Sequence, residues 1–175
     1  SDTVPHRPAN PRAHYILGNA YREEGKIPES LVHYRLATFL KPDYAEAFYN
    51  LGLSLEESGQ LDEALTNYRR SYRLNPKSVN TLNNLGALLA RQGLSRDADD
   101  YFRRALEIDS HRPSIRTNLA NLQAARGDYA EAVKNYRMVL KEYPEFAEAH
   151  YNLAVTLEKT GDWAGALVHY RRVIS

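Results

Sequence analysis

The chain has 175 residues, and an apolar content of 43% is enough for a packed core. Its 23 Lys and Arg residues nearly balance its 22 Asp and Glu residues, so it lacks the basic excess typical of nucleic-acid-binding proteins. It has no cysteine, which excludes disulfides and thiolate chemistry, and no run of about 18 apolar residues that would span a membrane. The composition leaves the cellular compartment open, with the cytoplasm as the default expectation.

Residues 1–10 are predicted to form an extended or disordered arm, because they contain Pro5 and Pro8 and little that could pack. The segment also lacks the apolar core of a signal peptide. Asn10 followed by Pro11 is the residue pair favoured at the N-cap and first position of a helix. The folded part of the chain is therefore predicted to begin at Pro11.

From Pro11 onward the chain reads as five copies of a 34-residue unit: 11–44, 45–78, 79–112, 113–146 and a shorter fifth copy, 147–175. Such self-similarity indicates a repeat architecture. Position 7 of the unit is always leucine: Leu17, Leu51, Leu85, Leu119 and Leu153. Position 15 is always glycine: Gly25, Gly59, Gly93, Gly127 and Gly161. Position 24 is always aromatic: Tyr34, Tyr68, Phe102, Tyr136 and Tyr170.

The repeated positions predict a pair of antiparallel helices in each unit. Positions 4, 7, 8 and 11 share one helix face, and the glycine at position 15 suits a turn that requires positive φ. Small residues at positions 8 and 20 allow close helix approach beside the aromatic residue at position 24. Proline at position 32 ends the second helix in three units. Asp99 occupies position 21, which is apolar in the other units, so we expect looser contact around this helix.

This pattern resembles the tetratricopeptide repeat family over residues 11–175. The resemblance implies an all-α, right-handed superhelical solenoid in which the first helices of the pairs line a concave groove. The chain departs from the family at position 4, often Trp, which here is His14, Phe48, Leu82, Arg116 and His150.

Position 6 of the first helix holds asparagine in four units: Asn50, Asn84, Asn118 and Asn152. Position 9 adds Asn19 and Asn121, and position 5 offers Tyr15, Tyr49 and Tyr151. An asparagine inside a helix costs up to roughly 0.7 kcal/mol relative to alanine. Its amide offers both a donor and an acceptor, as a peptide backbone does. These residues therefore predict a groove that binds an extended peptide or unstructured protein segment through an asparagine ladder, with the tyrosines as pocket walls.

The asparagine ladder also resembles the tetratricopeptide region of O-linked N-acetylglucosamine transferases, whose groove asparagines contact the substrate backbone. The likeness covers Asn50, Asn84, Asn118 and Asn152, while Ile16 interrupts it in the first unit. Chaperone-binding members of the family instead grip a terminal carboxylate with basic residues. Tyr15, Asn80 and Asn84 stand where that clamp needs positive charge, so we do not expect a carboxylate clamp.

Three alternatives remain open at the level of sequence. The amides could bridge neighbouring repeats and serve the fold alone. The chain could be the substrate-recruiting or regulatory arm of a larger enzyme, such as a glycosyltransferase, with its catalytic domain elsewhere. It could also be a scaffold that self-assembles through its ends, because Val168, Val173 and Ile174 finish the chain on an apolar helix without a polar cap. We therefore expect the native protein to continue past Ser175, or this edge to pair with another copy.

No catalytic motif stands out, so the chain is not expected to be an enzyme, and no cofactor is expected. His14 with His33, and His150 with His169, recur at a spacing of 19 residues, but two ligands are too few for a typical zinc site. We expect these histidines to pack in the framework and expect no metal. Position 25 is arginine in every unit, and we expect this row to be solvated or ion-paired.

Overall fold

In a computed structural model of the chain, residues 10–174 are described, and within them there are ten α-helices and no strand. The helices are α1 (Pro11–Glu23), α2 (Ile27–Leu40), α3 (Ala45–Glu57), α4 (Leu61–Leu74), α5 (Val79–Arg91), α6 (Ser95–Ile108), α7 (Pro113–Ala125), α8 (Tyr129–Glu142), α9 (Ala147–Lys159) and α10 (Trp163–Ile174). Each predicted repeat contains one pair of them. The predicted all-α class is confirmed.

The chain divides into two compact units, Ser1–Thr81 and Leu82–Ser175. The arm predicted over residues 1–10 lies outside the described residues apart from Asn10. Within residues 10–174, no helix combines the length and apolar character that a bilayer crossing requires.

The predicted N-cap of the first helix is confirmed at Asn10. Its side-chain oxygen accepts hydrogen bonds from the backbone N–H groups of Arg12, at 2.9 Å, and Ala13, at 3.3 Å. Two backbone donors that the first turn of a helix leaves without partners are thereby satisfied. Pro11 follows as the first helical residue.

The turn inside each repeat is also confirmed. The position-15 glycines have φ values between 74 and 86° at Gly25, Gly59, Gly93, Gly127 and Gly161. This left-handed conformation is strained for residues with a side chain, and it reverses the chain between the two helices of a pair.

Three of the second helices, α2, α4 and α8, end shortly before a proline as predicted, whereas α6 ends without one. Helix α6 stops at Ile108, although Ser110 stands where three other repeats have proline. The carboxylate of Asp109 accepts from the backbone N–H of His111, at 3.2 Å, and from Arg112 Nε, at 2.7 Å. An aspartate that bonds the chain two residues on stabilises a turn without a proline.

Within a repeat, the two helices approach closely at the small residue of position 8. A Cβ atom built on Gly18 would lie 2.6 Å from the ring of Tyr34, and one on Gly52 would lie 2.6 Å from the ring of Tyr68. Both tyrosines are fully buried. The predicted role of a small residue at this position is confirmed, because a Cβ at Gly18 or Gly52 would collide with the ring.

Successive repeats share one core within each unit. In the second unit, Tyr136 and Val139 of α8 form a buried cluster with Leu153 and Leu157 of α9. The position-7 leucine is buried where a preceding repeat stands in the same unit, at Leu51, Leu119 and Leu153, whereas Leu17 of the first repeat is 44% exposed. Burial of this leucine thus accompanies packing against a preceding repeat.

The looser contact expected around Asp99 agrees with the structure. Asp99 forms ion pairs with Arg103 and Arg126 beside an open cleft of 620 Å³. The corresponding Leu31 and Leu65 are buried. A carboxylate at this position requires polar or solvated surroundings, unlike the apolar residue of the other repeats.

Replacing Gly59 with Ala is expected to lower the free energy of unfolding by about 1 kcal/mol, because left-handed backbone is unfavourable for a residue with a Cβ. No heavy atom lies within 4 Å of the added Cβ, so the loss reports backbone strain alone. Gly59→Asn should lose less, since asparagine tolerates this conformation better. Urea unfolding followed by circular dichroism measures both, and an alanine variant as stable as the parent would contradict this reading.

Candidate functional site

In the first unit, Asn19 and Asn50 join the first helices of two successive repeats. Asn50 Nδ2 donates to Asn19 Oδ1 at 2.8 Å and to the hydroxyl of Tyr15 at 3.2 Å. Asn19 Oδ1 also accepts from the hydroxyl of Tyr34 at 2.7 Å. We call Asn19 with Asn50 the first amide pair.

The second unit contains the same arrangement 102 residues further along the chain. Asn152 Nδ2 donates to Asn121 Oδ1 at 2.9 Å, and the hydroxyl of Tyr136 donates to the same oxygen at 2.6 Å. We call Asn121 with Asn152 the second amide pair. Burial raises the pKa of Tyr136 to about 12, so its hydroxyl keeps its proton and remains a donor at neutral pH.

A third bond between repeats uses Asn83, which is not among the predicted contact residues. Asn118 Nδ2 donates to Asn83 Oδ1 at 3.0 Å, and Asn83 Nδ2 donates to Asn84 Oδ1 at 3.3 Å. Asn83 stands at position 5, where other repeats have tyrosine or threonine. It replaces the position-9 asparagine as the acceptor, because position 9 of this repeat is Ala87.

These bonds bear on the alternative that the ladder amides bridge neighbouring repeats. The Nδ2 groups of Asn50, Asn118 and Asn152 donate to the preceding repeat, so the bridging alternative is realised on that side of each amide. In each of these three asparagines, the NH₂ group of the amide is therefore engaged by the fold itself.

Each amide pair nevertheless leaves one whole NH₂ group and one carbonyl oxygen without a partner within the described residues. Among residues 10–174, no hydrogen bond engages Nδ2 of Asn19 or of Asn121, and none engages Oδ1 of Asn50 or of Asn152. All four residues are half-buried. A pair thus offers an N–H donor from one repeat and a carbonyl acceptor from the next.

Each of the three tyrosines of position 5 packs against another aromatic ring, which for Tyr49 and Tyr151 is the position-24 residue of the same repeat. The Tyr15 ring packs 5.0 Å from that of Tyr44, Tyr49 packs 5.9 Å from Tyr68, and Tyr151 packs 6.2 Å from Tyr170. Tyr151 is the most open of them, with 53% of its surface exposed. Tyr15 also lines an open cleft of 600 Å³ together with Ile16 and Tyr44. Tyr44 was not among the predicted residues.

A pocket of 250 Å³ adjoins the second amide pair. It is lined by Asn121, Ala124, Ala125, Tyr136, Asn152, Val155, Thr156 and Lys159. Near the first amide pair, the corresponding residues Arg22 and Glu57 form a bidentate ion pair instead. The two amide pairs are therefore alike in their hydrogen bonds but differ in what stands next to them.

The histidine pairs form hydrogen bonds inside their repeats. Nδ1 of His14 lies 3.0 Å from Nδ1 of His33, and the same atoms of His150 and His169 are 2.9 Å apart. His150 Nε2 lies 2.7 Å from the carbonyl of Pro144 and donates to it, so His150 Nδ1 accepts from His169. No group of three or more potential metal ligands occurs within the described part of the chain.

The position-25 arginines are engaged in part by neighbouring carboxylates. Arg35 pairs with Glu63 of the next repeat at 3.0 Å, and Arg103 pairs with Asp99 one turn earlier. These exposed pairs contribute little to stability.

Family models match most of the chain. One described as TPR repeat matches residues 18–59, and two described as Tetratricopeptide repeat match residues 43–111 and 77–145, and residues 117–175. Among curated proteins, none has a sequence that matches this chain.

Several solved structures share the fold. A tetratricopeptide repeat protein from Parabacteroides merdae ATCC 43184 is 24% identical, with a TM-score of 0.87 over 98% of this chain and 67% of that one. MamA from Desulfovibrio magneticus RS-1 is 15% identical, with a TM-score of 0.86 over 94% of this chain and 93% of that one. YrrB, described as a TPR protein with an unusual peptide-binding site, is 22% identical, with a TM-score of 0.78 over 94% and 85%. At these identities the likeness shows the fold.

The His150–His169 bond predicts a loss of stability in mild acid. Burial, followed by the proximity of His150 and Arg137, lowers the pKa of His169 below its ordinary value of 6.5. The unfolded chain therefore takes up a proton more readily, and stability falls as the pH drops below about 6.5. His169→Asn should flatten this decline in urea unfolding measured between pH 5.5 and 7.5.

The matched control is His111→Asn. Its hydrogen bond with Glu142 raises the pKa of His111, so this histidine adds stability below about 6.5 that is lost as the pH rises through the folded-state pKa. Its removal should make the acid decline steeper. A His169→Asn variant with the pH profile of the parent would overturn the assignment.

Proposed function

The chain belongs to the tetratricopeptide repeat family, and from this premise we propose that it is a protein-interaction module that binds an extended peptide segment. The segment would lie along the first helices of the repeats. The proposed contact residues are the predicted ones, Asn19, Asn50, Asn84, Asn118, Asn121, Asn152, Tyr15, Tyr49 and Tyr151.

The observation that supports this proposal is the unused donor and acceptor of each amide pair. A peptide unit has one N–H and one C=O, so Asn121 Nδ2 can donate to its carbonyl while Asn152 Oδ1 accepts from an amide N–H of the same segment. Asn19 and Asn50 offer the same groups in the first unit. Because the backbone supplies these partners whatever its side chains, this recognition would depend little on the peptide sequence.

The amide pairs alone would give weak binding. Four hydrogen bonds at about 0.5–1.5 kcal/mol each contribute roughly 2–6 kcal/mol. Association costs on the order of 4–15 kcal/mol in lost translational and rotational freedom. Apolar area from side-chain subsites, such as the exposed Tyr151 and the cleft beside Tyr15, is therefore part of the proposal.

The proposal includes the case in which the module is one part of a larger enzyme. As the substrate-recruiting arm of a larger enzyme, for instance a glycosyltransferase as the ladder's likeness suggests, it would bind the backbone of the substrate.

A self-assembling scaffold is the second candidate function. It is favoured by the apolar face of α10, where Leu167 is 55% and Ile174 is 85% exposed.

A pair of isosteric substitutions tests the role of the unused donors. In Asn19→Asp/Asn121→Asp, one carboxylate oxygen still accepts from the neighbouring tyrosine and asparagine, while the Nδ2 donor is replaced by an acceptor. The melting temperature should stay near that of the parent. Peptides selected from a random 12-residue library should bind about fivefold more weakly for each amide pair that they contact, because each pair loses one hydrogen bond of about 1 kcal/mol. Fluorescence polarisation measures the affinity.

Asn50→Asp/Asn152→Asp is the matched control. It removes the donors that bridge successive repeats, so its melting temperature should fall. If Asn19→Asp/Asn121→Asp keeps its fold and binds the selected peptides as tightly as the parent, the amide pairs do not contact the peptide backbone.

A further inference from the structure

The two amide pairs are bordered by different side chains, although their positions in the repeat are the same. Beside the first pair, position 12 is Arg22 and position 13 of the next repeat is Glu57. Beside the second pair, the same positions are Ala124 and Lys159. In the second unit the positively charged residue is therefore on the later helix, α9, and the facing position on α7 is an alanine and not a carboxylate.

In the first unit, the ion pair fills the space. Arg22 Nε lies 3.1 and 3.2 Å from the two carboxylate oxygens of Glu57, and this contact bridges α1 and α3. A bidentate pair fixes both side chains in one geometry. The two charges beside the first amide pair therefore neutralise each other, with one contributed by each repeat.

In the second unit, the same space is open. Ala124 has no charged side chain that could pair with α9 as Arg22 pairs with Glu57, and Val155 stands where the first unit has the larger Leu53. The result is the 250 Å³ pocket between the amide pair and Lys159. Among residues 10–174, no carboxylate lies within ion-pairing distance of the Lys159 ammonium, and the adjacent Glu158 accepts from the hydroxyl of Tyr170 at 2.9 Å.

The geometry points to a carboxylate subsite: the pocket beside Asn121 and Asn152 takes a glutamate side chain of the bound segment, which pairs with Lys159. This inference rests on the proposed function and names the residue type that the second unit selects. The ligand carboxylate would stand opposite a cation, as that of Glu57 stands opposite Arg22. Small apolar walls at Ala124, Ala125 and Val155 suit the methylene groups of the side chain.

The spacing along α9 accommodates a side-chain carboxylate. Asn152 and Lys159 lie two turns apart on α9, about 10 Å along its axis, on nearly the same face. A segment whose backbone contacts the amide pair can bridge that distance with an extended glutamate side chain and the lysine stem together. In the proposed complex, the amide pair holds the main chain and the Lys159 side chain reaches the ligand carboxylate.

The probes are peptides selected from a random 12-residue library on the parent protein, each remade with glutamate replaced by glutamine and with an amidated C-terminus. Fluorescence polarisation is expected to show glutamate peptides binding about three- to tenfold tighter than their glutamine partners. Amidation should change little. A preference that disappears on amidation would show that a terminal carboxylate is bound and would overturn the subsite.

Two variants assign the preference to the pocket. Lys159→Met keeps the apolar stem and should bring glutamate and glutamine peptides to equal affinity. Ala124→Arg/Lys159→Glu rebuilds the ion pair of the first unit, so the melting temperature should be retained while the glutamate preference is lost. The corresponding control, Lys134→Met, removes a cation from the outer helix α8 and should leave the preference unchanged.

The outcomes separate this inference from the proposed function. If peptides bind with the amide-pair dependence described above but Lys159→Met keeps the glutamate preference, the carboxylate subsite is wrong and the binding module stands. If the selected peptides show no dependence on the amide pairs and none on Lys159, both are wrong.

Discussion

A hydrogen bond between two asparagine side chains, one from each of two successive repeats, is the interaction on which the candidate site depends. It occurs at 2.8 Å between Asn50 and Asn19 and at 2.9 Å between Asn152 and Asn121. Asparagine is a poor helix former, and packing alone would favour an apolar residue at an interior position. The bond fixes the orientation of both amides, so that among residues 10–174 the NH₂ group of one repeat and the carbonyl oxygen of the next have no partner.

The close approach of the helices makes this bond reachable. Gly18 lies against the ring of Tyr34, and Tyr34 in turn donates to Asn19, so the same aromatic residue fills the core and orients the amide. In the second unit, Ala120 and Tyr136 occupy the corresponding positions and Tyr136 donates to Asn121. The position-24 residue thus links the core to the site. Tyr68 and Tyr170 instead donate to Glu56 and Glu158 of their own repeats, where position 9 is apolar.

Much of the fold could be predicted because its constraints repeat with a fixed period. The glycine turns, the leucines of position 7 and the start at Asn10 each follow from a local requirement for positive φ, burial or capping. The direction of the amide bonds could not be predicted, because it depends on which neighbour stands across the repeat boundary. Asn83 was missed for that reason, and Asp109 because a single aspartate can replace proline in ending a helix. The first unit has Arg22 and Glu57 at the positions where the second unit has Ala124 and Lys159. This difference is visible in the sequence only when one pair of adjacent repeats is compared with another.

The most direct test of the amide pairs is the nuclear magnetic resonance signal of their side-chain NH₂ groups during titration with a selected 12-residue peptide. The account predicts that the Asn19 and Asn121 signals shift as their N–H groups acquire carbonyl partners, while those of Asn50 and Asn152, already bonded to the preceding repeat, move little. Saturation of binding with the Asn19 and Asn121 signals unmoved would contradict it.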